Sequence, residues 1–519
     1  MKKFIIWYFL LLLTIFILTS PGSIHESDGL SMFELTKSIV EKGTFAIDNG
    51  TSAIGLNGQK YSPYGIGQSV LAIPFYLIGY FFSTTLNISK SFTTKFMVSM
   101  FNPLIQALTC IVIFLISQKI FKSKKISLFL SLIYGFATMS WVYSKTFFSE
   151  PLASLALLAG FYLLINDDIN KISYWQFMMS GIFTGIASLT RIASVIEISV
   201  FILFIILISY RKIRLKKAIL NFIFFLSPIF LSLVLFLVYN FVRFGSPFIT
   251  GYSGDMVSFK GNLLLNAYGQ LFSTGRGLFL FNPILIASLI GIPYAFKKNK
   301  NLSFFLLLSA AINIIGYSKF TNWHGGWGWG PRYLLMTIPF FVLFLGYLFQ
   351  IRSHILKIIL TILLCISIPI QLSSITVNYQ RYYYKLAIKY GDSDFLNQLN
   401  YSPIDSPLIG QFKETYFALN RNQKDLVKMG QNQLKQENIK FSSTREAEKS
   451  LISNNIFYSG LHLWVLYLYY FSYTKLLVIL LSFMIITFII TLYFSIKHFK
   501  FNKLAKKDEF KFKIHLYFL

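Results

Sequence analysis

The residues best suited to chemistry in this chain are a few charged side chains set among glycine, proline and tryptophan. Asp28 follows His25-Glu26-Ser27. It precedes a run with helical spacing, Leu30, Phe33, Lys37 and Val40, that ends at Gly43. Ser31 and Glu34 fit a capping box at the start of that helix. An acid at this point can be an N-cap or a first-turn residue favoured by the helix dipole. It can also be a general base that takes a proton from a hydroxyl, a role typically worth ~10²–10⁴ in rate. Glu26 and His25 are nearby substitutes. Glu150 stands between Ser149 and Pro151. Pro suits the first helical turn, so Glu150 opens a helix, where the dipole favours an acid. Two carboxylates on one face could position a substrate or share a divalent ion.

The segment Trp323-His324-Gly325-Gly326-Trp327-Gly328-Trp329-Gly330-Pro331-Arg332-Tyr333 is the most unusual in the chain. Its tryptophans fit an interfacial belt, while its glycines let backbone approach a ligand closely. Arg332 stands at the positive end of the following helix, where a cation is disfavoured unless an anion lies close. Phosphate is a natural partner, because Arg grips it with two parallel hydrogen bonds; a lipid headgroup is the plainer alternative. His324 and Trp327 belong to the same candidate donor site. Arg276, in Ser273-Thr274-Gly275-Arg276-Gly277, is a second cation flanked by Gly, and Lys60-Tyr61-Ser62-Pro63-Tyr64 ends a polar stretch. Arg276, Lys60, Tyr61 and Tyr64 could contact phosphate or sugar, or anchor the interface. Glu197 lies within an apolar run and is expected to pair with a buried cation such as Arg191. There is no phosphate-cradling P-loop, no HExxH and no Cys/His metal spacing.

These side chains need a membrane to position them. The chain has 519 residues, 55% hydrophobic and only 13% charged, against about 25% charged in a soluble domain. That composition excludes an ordinary soluble enzyme, a disordered chain and a disulfide scaffold. The net charge of +28 needs no nucleic acid, since the positive-inside rule accounts for it. At about 20 apolar residues per crossing, the pattern predicts an all-α polytopic membrane protein of about 12 transmembrane helices with both termini in the cytoplasm. The expected spans are Phe4–Leu18, Phe96–Ser117, Ile126–Tyr143, Pro151–Ile165, Tyr174–Leu189, Ile192–Ser209, Ala218–Asn240, Leu278–Phe296, Leu302–Tyr317, Tyr333–Phe349, Ile355–Ile375 and Leu476–Phe494. Residues 1–375 form the transmembrane catalytic domain, with a long first external loop at 20–94. Within that loop the apolar run Gln68–Ser83 is interfacial or re-entrant. Residues 376–473 are a second, mostly helical external region with a helix near Pro407–Gln436. Residues 474–519 hold the last span and a basic tail.

The order of several segments carries a resemblance. Asp28 lies in a long loop with an amphipathic helix, followed by Lys60–Gly67 and an interfacial run. Ser149-Glu150-Pro151 opens a span, and Gly185-Ile186-Ala187-Ser188-Leu189-Thr190-Arg191 follows. Then come Tyr239-Asn240-Phe241-Val242-Arg243-Phe244-Gly245-Ser246-Pro247, Gly251-Tyr252 and Pro331-Arg332-Tyr333. Over roughly Met1–Phe349 the chain resembles bacterial GT-C-fold membrane glycosyltransferases, related to protein O-mannosyltransferases and aminoarabinose transferases. The resemblance implies a polyprenyl-phosphate-linked sugar as donor, the first-loop acid Asp28 as catalytic base, and Glu150 as support for substrate or metal. Those transferases often carry Lys where Pro63 stands here, so a phosphate contact there would fall to Lys60. The expected activity is inverting sugar transfer to an acceptor hydroxyl on a glycan, lipid or protein, at the outer face of a bacterial inner membrane. The alternatives are an enzyme like an O-antigen ligase or polymerase, and a flippase or transporter of lipid-linked sugar.

Overall fold

The computed structural model describes residues 1–210, 212–252, 258–420, 461–465, 468 and 474–499. The chain is a helical, multi-pass membrane protein. Its only strands among the described residues are Ala53–Ile54 and Lys60–Tyr61, paired antiparallel. Among the described residues, six helical runs are long and apolar enough to cross a bilayer: Lys90–Phe121, Ile192–Ser209, Leu215–Phe244, Lys300–Ser318, His354–Thr376 and Thr474–His498. Glu150–Leu164 and Arg332–Leu348 are shorter apolar helices.

The chain opens with α1 (Lys2–Leu18), whose Trp7 stacks on Phe494 at 4.4 Å. The first loop then folds as α2 (Ser27–Lys42), α3 (Gly67–Leu71), α4 (Ile73–Thr85) and α5 (Lys90–Ser99). The helix expected after Asp28 is present and ends at Gly43 in the left-handed conformation, but it begins earlier than the capping-box pattern suggests. Asp28 therefore lies in its first turn. Ser31 is interior, and its hydroxyl donates to Thr51 O and Ser62 Oγ. The run Gln68–Ser83 is helical and exposes Leu77, Ile78 and Phe81.

α6 (Phe101–Phe121), α7 (Lys124–Phe136) and α8 (Ser140–Ser144) lead to α9 (Glu150–Leu164), α10 (Tyr174–Thr190), α11 (Val195–Ser209) and α12 (Leu215–Phe244). α10 carries Gly181 and Gly185, spaced so that both lie on one face. A Cβ on Gly181 would come within 2.0 Å of Phe225 O, and one on Gly185 within 2.2 Å of Ser232 Oγ. This is the small-xxx-small contact that lets membrane helices approach backbone to backbone. The opposite flank of α12 exposes Phe230, Leu231 and Leu235, as a lipid-facing surface should.

After α13 (Leu263–Phe272) the span expected over Leu278–Phe296 is broken into α14 (Leu278–Phe281), a 3₁₀ turn at Pro283–Leu285 and α15 (Ile286–Lys298). Pro283 supplies no backbone donor, and side chains satisfy the interrupted ladder. Gln371 Nε2 donates to Phe281 O, Ile284 N donates to Ser367 Oγ, and Asn282 Oδ1 accepts from Met139 N. Broken helices in a membrane need such partners. α16 (Lys300–Ser318) leads to the Trp/Gly loop, a 3₁₀ segment at Arg332–Thr337 and α17 (Ile338–Leu348). α18 (His354–Thr376) is followed by α19 (Gln380–Tyr401) and α20 (Pro407–Asn420), and α21 (Thr474–His498) closes the described chain. The helix expected over Pro407–Gln436 is seen to Asn420; its remainder lies outside the described residues, as does the basic tail.

Candidate active site

Four charged side chains meet at one end of the bundle: Asp28 from the first turn of α2, Glu150 from the first residue of α9, Arg191 from the end of α10, and Arg332. Arg332 Nη1 donates to Asp28 Oδ2 at 2.8 Å, and its Nε lies 3.3 Å from Glu150 Oε1. Arg191 Nη1 donates to the same Glu150 oxygen at 2.7 Å, and its Nε donates to the Tyr317 hydroxyl at 2.7 Å. The four formal charges cancel. Glu150 is 1% exposed and Asp28 18%, so Asp28 is the carboxylate that a ligand can reach. Glu150 Oε2 is buried and takes no hydrogen bond among the described residues.

The anion that Arg332 requires is thus supplied from within the chain. Its guanidinium also lies over the Phe148 ring at 4.4 Å. Arg191 sits over Tyr333 at 4.8 Å, and Tyr333 stacks on Tyr317 at 4.7 Å. Burial tends to raise the Asp28 carboxyl. The Arg332 charge, with side-chain hydrogen bonds from Tyr64, Arg332 and Ser27, outweighs burial and holds it below the ordinary value. Asp28 is therefore a carboxylate at neutral pH, able to accept a proton but masked by its arginine.

Each piece is held by local structure. Gly65 and Gly67 bring the end of the first loop against α10: a Cβ on Gly65 would sit 2.2 Å from Leu189 O, and one on Gly67 2.4 Å from Thr190 Oγ1. That approach places Tyr64 beside Asp28 and against Tyr252. The loop before Glu150 is pinned by two uncharged side chains. Gln68 Nε2 donates to Phe147 O and Phe148 O, and Asn102 Nδ2 donates to Thr146 O and Phe148 O. Beneath Asp28 lies Glu26, buried and pushed up to about 7 by that burial, which backbone hydrogen bonds offset only in part.

The other predicted residues fall into place differently. His324 Nδ1 accepts from Gly326 N at 3.0 Å. Burial, then the Arg276 and Arg332 charges, push its imidazole down to about 3, so it is neutral. Trp327 is partly exposed and packs on Phe395 of α19 at 5.2 Å. Trp329 is fully buried against Phe281, which is not an interfacial belt. Gly325, Gly326 and Gly330 have positive φ, so they are required by the loop's own path. Arg276 is buried and bonded to Asn400 Oδ1 and to the carbonyls of Gly326, Gly328 and Gly330. Through these bonds it clamps the Trp/Gly loop. Lys60 and Tyr61 lie in the small hairpin. Alternation along the strand turns Tyr61 inward against Phe244 and leaves Lys60 exposed. Glu197 is not paired with Arg191; it accepts from Asn313 Nδ2.

No three metal-ligating side chains come together among the described residues. The two carboxylates are bridged by a guanidinium, whose charge opposes a divalent cation between them, so the arrangement does not fit the divalent ion weighed from the sequence.

No family model matches the chain, and no curated protein does. Among solved structures the chain is similar to ArnT from Cupriavidus metallidurans bound to undecaprenyl phosphate, with 13% identity, a TM-score of 0.49, and 79% of this chain and 74% of that chain covered. It is similar to the apo state of the same protein at 11% identity and a TM-score of 0.49, covering 81% and 78%. It is also similar to the oligosaccharyltransferase of Archaeoglobus fulgidus in the apo form, at 11% identity and a TM-score of 0.49, covering 78% and 60%.

Proposed function

We propose that the chain is an inverting glycosyltransferase that moves a sugar from a polyprenyl-phosphate donor to an acceptor hydroxyl at the outer face of a bacterial inner membrane, the acceptor being a cell-envelope glycan, lipid or protein. The observation that carries this reading is the convergence of Asp28 and Glu150 on Arg332. It supports reading Asp28 as a reachable base and Arg332 as the cation for a leaving phosphate. Asp28 takes the acceptor's proton and the hydroxyl oxygen attacks the anomeric carbon. The bond from that carbon to the phosphate oxygen breaks, and polyprenyl phosphate departs. Arg332 stabilises the charge gained by the phosphate; losing one such contact typically costs ~10²–10³ in rate. Glu150 holds Arg332 and Arg191 in register. Tyr64, His324 and Trp327 line the approach for donor sugar or phosphate.

The test is transfer of labelled sugar from a polyprenyl phosphate in reconstituted membranes, with donor binding measured in parallel. Asp28→Asn keeps the size and a hydrogen bond to Arg332 but cannot accept a proton. It should lower transfer ~10²-fold or more while donor binding persists. Near-normal transfer would remove Asp28 as base. Unimpaired lipid movement without any transfer by the parent protein would favour a flippase.

A further inference from the structure

The far end of the bundle holds a second charged site. α9 runs from Glu150 to Leu164, and its length at 1.5 Å per residue puts its last turn roughly 20 Å from the four-charge cluster. There the C-terminal ends of α6, α9, α11, α15 and α17 surround a cavity of about 320 Å³. Lys119, Lys212 and Lys298 line it together with the amides of Asn299, Asn301 and Gln350. Its deeper wall is apolar, with Leu164, Phe204 and Ile208.

Lysines near helix C-termini often serve only the last carbonyls. Lys119 does so: its Nζ donates to Tyr162 O and Ile165 O at 2.7 and 3.0 Å. Lys298 is in the last turn of α15, whereas Lys212 belongs to no helix. Both are exposed and form no ion pair with a described acid. The one acid of the cavity, Asp167, pairs with Lys122 at 3.2 Å. The cavity therefore has a surplus of positive charge, carboxamide donors, and an apolar wall at the depth where the membrane-crossing helices end.

We infer that this cavity binds a phosphate-bearing anion, with an anionic phospholipid headgroup as the source that its apolar wall and depth favour. Basic pockets between transmembrane helices take such headgroups, and each lysine near a charged bilayer surface adds about 1 kcal/mol. The inference is independent of the transfer reaction, and its readout needs no activity.

The full chain would be purified, delipidated and reconstituted with phosphatidylcholine containing a minor fraction of phosphatidylglycerol, and the lipid retained after re-extraction measured by mass spectrometry. The parent protein should retain phosphatidylglycerol selectively. Lys212→Gln with Lys298→Gln should cut that retention roughly tenfold or more. A control pair, Lys3→Gln with Lys216→Gln, removes the same charge from exposed positions outside the cavity and should retain lipid as the parent does. Melting in detergent with inorganic phosphate is the second arm. A rise for the parent but not for the cavity variant, without selective lipid retention, would keep the anion site and make free phosphate its source. Equal retention and equal melting for the parent and both variants would overturn the inference, as would loss of retention in the control pair.

Discussion

Glu150→Gln probes the charge balance of the site most directly. One oxygen of Glu150 serves two arginines, at 2.7 Å from Arg191 and 3.3 Å from Arg332, and the residue is 1% exposed. At an effective dielectric of about 20, charges at these distances attract by roughly 6 and 5 kcal/mol before desolvation is counted. Desolvation consumes much of that, and removing one partner of a buried pair typically leaves a net loss of about 3–5 kcal/mol. Glutamine fills the same volume but leaves two guanidiniums facing a single carboxylate, Asp28. The expected result is a marked loss of stability against heat or denaturant in detergent, together with loss of sugar transfer. Arg191→Gln in the same background restores neutrality. The double variant should therefore be more stable than the sum of the two single losses implies, by more than the ~0.5 kcal/mol within which independent sites add. Strict additivity, or a Glu150→Gln protein as stable as its parent, would refute the shared-carboxylate reasoning. Glu150→Asp keeps the charge on a shorter arm and should fall between the two.

Arg332→Lys retains one positive charge but loses the fork that reaches Asp28 and Glu150 together; kcat for sugar transfer should fall steeply while the protein still inserts, and unchanged kinetics would remove Arg332 from the reaction. The pH profile follows from Asp28, whose folded carboxyl lies below the ordinary value because Arg332, Tyr64 and Ser27 outweigh burial. A depressed carboxyl stays a base, and keeps its stabilising contribution, above the ordinary value of about 3.9; both are lost only as pH falls through the lower folded value. The acid limb of kcat/KM in the free enzyme should thus lie below about pH 4, and Arg332→Gln should move it upward. A parent limb near 7 would point instead to Glu26, which burial holds at about 7.

Much of this was legible in the residues, for definite reasons. Asp28, Glu150 and Arg332 stood out because each is a charge beside a helix start signal, and their common face follows from topology. Arg191 was visible too, but its partner was not. Glu197 is six residues away in the chain, whereas Glu150 is 41 residues away, and only packing of α9 on α10 brings it close. The role of Arg276 was hidden because its partners are three backbone carbonyls, which no side-chain pattern reports, and Asn400, 124 residues along the chain. Gln68 and Asn102 did leave a signal: uncharged polar groups inside apolar runs, which in a membrane protein must find partners. The break at Asn282-Pro283 was likewise foreshadowed by the proline, though the rescuing side chains, Ser367 and Gln371, come from a helix far along the chain.

The resting ion pairs also constrain how the proposed reaction must proceed. The charges of Asp28, Glu150, Arg191 and Arg332 sum to zero. A polyprenyl-phosphate sugar is a phosphodiester and brings one negative charge; the departing lipid phosphate, a monoester, approaches two. A buried site of fixed charge would resist that change, since unpaired charge in a low dielectric is costly. Proton transfer supplies the compensation. As Asp28 takes the acceptor's proton it becomes neutral, and its hold on Arg332 weakens as the phosphate oxygen gains charge. Arg332 can then turn its grip from Asp28 to the phosphate while Glu150 keeps it from leaving the site. In the proposed reaction base and leaving-group cation would thus act as one coupled device, the Asp28–Arg332 pair loosening in step with the charge that Arg332 receives. In the proposed reaction Glu150, whose one oxygen meets both Arg191 and Arg332, stays in place as their shared partner while Asp28 exchanges its proton.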